Sequence, residues 1–195
     1  MHINQKVAIT EKIRRKTRLF LKRRALRSFT RQRHVVSYAM AKDIAILYEM
    51  EAEDGFASIT PVVKQLQTEN KKLCVIAYYP QKRMPEDLAV PEGFTCVTRK
   101  DFSLFVRPKN DTLKQIMNEE YDVLIDLSTH KAFPMKMLAA LTPAAYKVGA
   151  HHPDYVDIYD LILDVKDNCT TSELAKHVIH YLKIIKTPGE NDHKI

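Results

Sequence analysis

The chain has 195 residues, 45% hydrophobic and 28% charged, enough for one packed core of ordinary size and too apolar for a disordered polymer. No apolar run approaches the roughly 18 to 20 residues of a membrane span, and Leu19-Phe20-Leu21 is too short for a secretory core segment. Three widely spaced cysteines, Cys74, Cys96 and Cys169, suggest neither a disulfide framework nor a zinc site, so a cytoplasmic protein is expected.

The net charge of +7 is unevenly divided. Residues 1–33 hold twelve Lys/Arg against Glu11 alone, which leaves 19 Lys/Arg and 23 Asp/Glu, a net of −4, for residues 34–195. The stretch 9–29 contains no Gly or Pro and is rich in Arg, Lys, Leu and Ala, which predicts a helix. Ile9, Ile13 and Phe20 share one face of it, but Arg24 and Arg27 fall on the same face further on, so cations surround the helix instead of lining one side.

An alternation of apolar strands and amphipathic helices follows. Asp43 to Tyr48 reads as a buried strand, and Thr60-Pro61 as the N-cap and first residue of a helix that includes Leu66. Leu73 to Tyr79 is a second strand, ended by Pro80, and Phe94 to Val97 a short third. A helix near 112–118 leads into the strand Tyr121 to Leu127, after which Ser128-Thr129 is expected to cap a helix over about 132–141. Tyr146 to Gly149 and Leu161 to Val165 read as strands. The last helix opens with a capping box, Thr170 to Glu173, and places Leu174, Val178, Leu182 and Ile185 at helical spacing. Strands that are apolar on both faces predict an α/β fold, a small Rossmann-like three-layer domain with a mostly parallel sheet, preceded by a basic N-terminal helix. The expected division is a basic arm over 1–40, the Rossmann-like domain over 41–187 and a short polar tail over 188–195.

Glycine argues against the usual nucleotide sites. Gly55, Gly93, Gly149 and Gly189 are too far apart to write either a dinucleotide fingerprint or a Walker loop. No cofactor is expected. A ligand would still find the crevice at the carboxyl ends of the strands. Near it the sequence offers three candidate catalytic residues: Asp54, in the acidic loop after the first strand, as a general base or cation ligand; and His130 and His151, beyond later strand ends, as acid/base groups. Each has an ordinary alternative, Asp54 as a helix cap and the histidines as polar loop residues. The histidine spacing matches no metal motif, so no metal is expected.

The run from Asp43 through Ile59-Thr60-Pro61-Val62-Val63-Lys64-Gln65-Leu66 to Tyr79 resembles the opening strand, loop, helix and second strand of the bacterial heptosyltransferases. These are glycosyltransferases with two Rossmann-like halves. Tyr121 to Leu127, Leu138 to Leu141 and Tyr146 to Gly149 are similar to a later stretch of that same N-terminal half. The resemblance spans roughly residues 43–150. It implies a catalytic Asp in a Gly-Asp pair before Thr-Pro, whereas this chain reads Asp54-Gly55, the reverse order, and ends after one half. The resemblance therefore implies a transferase-like half without the chemistry. The chain is also similar to a group of small uncharacterised bacterial proteins.

With cations on all sides, the arm suits insertion among phosphates, and structured RNA offers phosphates on several sides of a groove. The residues expected to contact RNA are Lys12, Arg14, Arg15, Lys16, Arg18, Lys22, Arg23, Arg24, Arg27, Arg31 and Arg33. The expected function is non-catalytic RNA binding, associated with ribosomes or their assembly, with ribosomal RNA and ribosomal proteins as partners. The alternatives are a peripheral, glycosyltransferase-like protein of a glycan pathway on an anionic membrane surface, an organellar transit peptide, and a solvated basic tail.

Overall fold

Two stretches decide the architecture. β1 (Asp43–Glu49) and β4 (Tyr121–Asp126) are apolar on both faces and hydrogen-bond to each other in parallel, Ile44 opposite Val123 and Leu47 opposite Asp126. A strand pair buried on both sides requires helices above and below. In the computed structural model, which describes residues 2–50, 55–103, 105–166 and 168–185, the sheet is built outward from this pair. β2 (Lys72–Tyr79) and β3 (Phe94–Thr98) extend it one way; β5 (Ala144–Ala150) and β6 (Leu161–Leu163) extend it the other. The order is β3-β2-β1-β4-β5-β6 and every pairing is parallel, which is the doubly wound Rossmann arrangement.

The chain divides into two compact units, Met1–Thr30 and Arg31–Ile195. The first contains α1 (His2–Arg27), a single helix of 26 residues and so about 39 Å long. The second contains the sheet and the remaining helices: α2 (Thr60–Thr68), α3 (Asp111–Asn118), α4 (Phe133–Leu141) and α5 (Thr171–Ile184). Residues 31–40, grouped with the arm on charge, lie in this second unit. There Val36, Ser37 and Tyr38 are buried, and the His34 amide donates to the Ala145 carbonyl at 3.2 Å.

One face of the sheet presents Ile44, Ile46, Val75, Ile125 and Val148, and onto it pack Val62, Val63 and Leu66 of α2 with Leu174, Val178 and Leu182 of α5. Alternation along each strand turns Ala45, Leu47 and Leu124 to the other side, where α4 lies against β1 and β4. The capping box of α5 forms as its sequence demands: the Glu173 amide donates to Thr170 Oγ1, and the Thr170 amide donates to the Glu173 carboxylate.

Two expected caps do not form. Thr60 lies inside α2, whose N-cap is Ile59 without a side-chain bond, because the Phe56 carbonyl already accepts both the Thr60 amide and its hydroxyl. Ser128 and Thr129 do not cap α4 either; the N-cap is Ala132, and both hydroxyls are drawn to carboxylates at the strand ends, Asp126 and Glu49.

Gly149 is required for a steric reason. A Cβ built there would lie 2.6 Å from the Tyr159 ring, closer than any carbon contact tolerates. Tyr159 is itself buried, so neither partner has room to yield. Gly149→Ala is expected to cost at least about 2 kcal/mol of unfolding free energy in a urea titration; an unchanged midpoint would mean that Tyr159 can move away freely.

Candidate functional site

In a doubly wound sheet the ligand crevice opens where strand order reverses, here at the carboxyl ends of β1 and β4. β4 ends in Asp126, a carboxylate with no exposed surface. Both of its oxygens are fully used. Oδ1 accepts the Ser128 amide at 2.9 Å and the Ser128 hydroxyl at 2.5 Å; Oδ2 accepts Lys136 Nζ at 3.0 Å and the Tyr159 hydroxyl at 2.5 Å. Lys136, from the first turn of α4, spends its other two donors on the Ser128 carbonyl at 2.9 Å and the Tyr159 oxygen at 3.2 Å. Burial, and then the adjacent Asp126 charge, push the Tyr159 phenol well above its ordinary range, so it remains a donor.

Above this buried network, the loop after β4 is strapped to the end of β1. The Thr129 amide and hydroxyl both donate to Glu49 Oε2, at 3.1 and 2.5 Å. The strap crosses the switch point with a carboxylate, which disfavours an anionic ligand there. His130 is exposed just beyond it and stacks on His152, with ring centroids 4.7 Å apart and planes 12° from parallel. His152 Nδ1 accepts the Asp154 amide at 3.1 Å, and its ring leans on Tyr155.

The sequence candidates are therefore only partly brought together. Asp54 lies outside the described residues. His130 does reach the crevice, but its neighbour is His152 and not His151, which is exposed and whose amide donates to the Leu163 carbonyl at 2.7 Å. The resulting constellation is one carboxylate already bonded and two stacked imidazoles. Among the described residues no group of three or more His, Cys, Asp or Glu is placed to hold a metal ion. A groove of about 850 Å³ runs elsewhere, along β6 and α5, lined in part by Asp164, Glu173, His177 and Tyr181, and it includes none of the three candidates. No composition or spacing signal marks it in the sequence, since it arises from β6 being the last strand.

Of the cations expected to meet RNA, nine lie on α1. Lys12, Arg14, Arg15, Lys16, Arg23, Arg24 and Arg27 are exposed, Arg18 is half-buried and Lys22 is buried. Arg14 pairs with Glu11 at 2.8 Å on the surface. Arg31 has a different setting. One of its terminal nitrogens donates to Asp160 Oδ2 at 2.6 Å, and the other to the carbonyls of Ala144 and Ala145, both at 3.0 Å. Its side chain is 6% exposed, and it anchors the start of the second unit to β5. Arg33 is mostly exposed, 3.8 Å from the same carboxylate.

Beside that anchor, Lys147 lies fully inside the protein, its ammonium donating to the Ala139 and Ala140 carbonyls at 2.6 and 3.0 Å at the end of α4. Burial is the main force pushing its pKa down to about 7, helped by Arg31 and Arg33 and opposed by Asp160. Between about pH 7 and 10.5 the unfolded chain holds a proton that the folded one has lost, so stability rises with pH across that window. The slope is at most about 1.4 kcal/mol per pH unit. Urea titrations of wild type and Lys147→Met from neutral to alkaline pH are expected to diverge in this sense, wild type gaining on the variant; parallel curves would contradict the depressed pKa.

A family model described as "Family of unknown function (DUF6913)" matches residues 16–185. No curated protein matches. Among solved structures, a glycosyl transferase family 9 protein from Veillonella parvula DSM 2008 is similar at 13% identity and a TM-score of 0.50, over 80% of this chain and 44% of that one. An exopolyphosphatase-related protein from Bacteroides fragilis is similar at 18% identity and a TM-score of 0.42, over 86% of this chain and 44% of that one. The chain thus spans less than half the length of either structure. The first likeness bears on fold alone, and the fold is the one implied by the heptosyltransferase resemblance of residues 43–150.

Proposed function

We propose that this chain, which belongs to the DUF6913 family, is a non-catalytic RNA-binding protein whose helix α1 contacts the phosphates of structured RNA, most specifically ribosomal RNA. The observation that carries the reading is the distribution of charge on α1. At 3.6 residues per turn, Lys12, Arg14, Arg15, Lys16, Arg18, Lys22, Arg23, Arg24 and Arg27 fall in every quadrant of the helix, with Glu11 the one acid among them. A helix lying on a flat surface needs cations on one side only. A helix among phosphates on several sides uses the seven exposed ones, which still fall in every quadrant, each neutralised phosphate releasing a counterion. The second unit supports the non-catalytic part of the reading: its strand-end acid Asp126 is buried and fully bonded, and Glu49 is held by Thr129.

A second reading, a peripheral glycosyltransferase-like protein on an anionic membrane, draws on Ile9, Ile13 and Phe20, which share a face of α1 and are each more than half exposed. Among the described residues no helix is long and apolar enough to cross a membrane. Arg24 and Arg27 interrupt the apolar face, so RNA is the favoured partner.

Neutralising five exposed cations, Lys12, Lys16, Arg23, Arg24 and Arg27, to Gln keeps helix propensity and removes charge. The variant is expected to be lost from ribosomal particles in sedimentation at low salt, where wild type co-sediments. The slope of log affinity against log salt for ribosomal RNA should fall by about 3.5 to 4.5. Equal sedimentation of the two proteins would overturn the proposal, and flotation of wild type but not the variant with anionic vesicles, without RNA binding, would favour the membrane reading.

A further inference from the structure

The second unit carries a cationic surface of its own, made of residues other than Arg31 and Arg33. β2 and β3 run in register to their ends, Tyr79 opposite Thr98, so the chain emerges from them side by side. The Arg99 amide donates to the Gln81 carbonyl at 3.4 Å across the two exits. After the short 3-10 turn Arg99–Asp101 the chain forms a tight hairpin. Phe102 and Pro108 bridge antiparallel, the Ser103 amide donates to the Arg107 carbonyl at 2.9 Å, and the Lys109 amide to the Asp101 carbonyl at 2.8 Å. These backbone bonds gather Lys82, Arg83, Arg99, Lys100, Arg107 and Lys109 at one corner of the carboxyl edge, all six exposed.

The acid in the middle of them, Asp101, offsets one of the six charges and is held by neutral donors. Asp101 accepts the Thr98 amide at 2.7 Å, the Thr98 hydroxyl at 3.0 Å and the Asn110 side chain at 3.1 Å. Glu86 and Asp87, also exposed, follow a few residues later in the loop from β2. Without the six cations and Asp101, residues 34–195 keep 13 Lys/Arg against 22 Asp/Glu, so this corner stands out against an acidic remainder.

The hairpin adds an aromatic. Phe102 is buried edge-on against Tyr78, with ring centroids 6.1 Å apart, and fixes the base of the hairpin; Phe105, three residues on, is 67% exposed. The turn that projects it is closed by Val106 at φ 58°, a left-handed conformation that a β-branched residue adopts only under strain. Strain of this kind persists where surrounding bonds over-determine it and is concentrated at binding loops. Here the Val106 amide donates to the Ser103 carbonyl, and the Arg107 amide to the Ser103 hydroxyl.

An exposed aromatic set among unpaired cations is the pattern that binds single-stranded nucleic acid, bases stacking on the ring while cations hold the phosphates. We propose that this corner is a second RNA-binding surface, which takes a single-stranded segment by stacking a base on Phe105 and holding flanking phosphates with Arg99, Lys100, Arg107 and Lys109. It rests on the RNA reading for its ligand class but on none of the same residues.

The test uses the full-length protein and a fluorescent oligouridylate of about 12 nucleotides, followed by anisotropy at several salt concentrations. Phe105→Ala is expected to weaken binding roughly tenfold or more with an unchanged salt slope, while Phe105→Tyr keeps the affinity. Arg99→Gln with Lys100→Gln should lower the salt slope by about 1.4. Circular dichroism melts of each variant establish that it is folded. Failure of wild type to bind the oligouridylate, or wild-type affinity and slope in folded Phe105→Ala and the double variant, overturns this proposal and leaves ribosomal RNA binding by α1 standing. Loss of oligouridylate binding in the corner variants, beside unaltered ribosome sedimentation of the five-Gln α1 variant, supports the corner and overturns the reading of α1. Binding of phosphatidylserine vesicles in place of the oligouridylate, lost in the same variants, would assign the surface to lipid and overturn the proposal.

Discussion

A carboxylate with no exposure at the end of a central strand is costly unless every lone pair is bonded and a cation stands beside it, and Asp126 meets both conditions. The rest of the switch point follows from meeting them. Lys136 must enter from the first turn of α4, so that helix begins where its third residue after Phe133 reaches the carboxylate. Ser128 folds back to donate twice, and this bends the loop and leaves Thr129 to meet Glu49. Tyr159 must bring its hydroxyl in from the connection between β5 and β6, and the ring passes over Gly149 because only a missing side chain leaves it space. A single buried charge thus fixes a helix start, two loops and a glycine.

The described surface is divided by charge. Among the described residues, Glu49 and Asp126 at the carboxyl edge of β1 and β4 are bonded internally, whereas the corner beyond β2 and β3 carries six exposed cations and α1 carries seven. Among the described residues, the exposed charge of these two regions is therefore mostly cationic.

The sheet was legible because its strands are apolar on both faces, a pattern that only a covered parallel sheet satisfies, and the order of strands and helices along the chain followed from it. What could not be read was the destination of short polar side chains. Ser128-Thr129 has the sequence form of a helix cap, and nothing local reveals that Asp126 and Glu49 compete for the two hydroxyls more strongly than free helix amides do. Charge composition had the same limit. It placed Arg31 with its basic neighbours, although Asp160, 129 residues away in sequence, binds it. The pairing of His130 with His152 depends on how two loops leave adjacent strands, and spacing alone could not choose between His151 and His152. The corner near Phe105 was hidden because its cations come in twos from three separate turns, none of them conspicuous alone.

The network at Asp126 also constrains how this sequence can change. Replacing Lys136 first strands a buried anion; replacing Asp126 first strands a buried cation; a side chain at Gly149 collides with Tyr159 while either remains. Their mutational effects are therefore strongly non-additive, and a lineage could alter this network only by exchanging several of these residues nearly together. Such coupling makes the buried network an evolutionary ratchet, which holds the ends of β1 and β4 in their present arrangement even where the surface continues to vary.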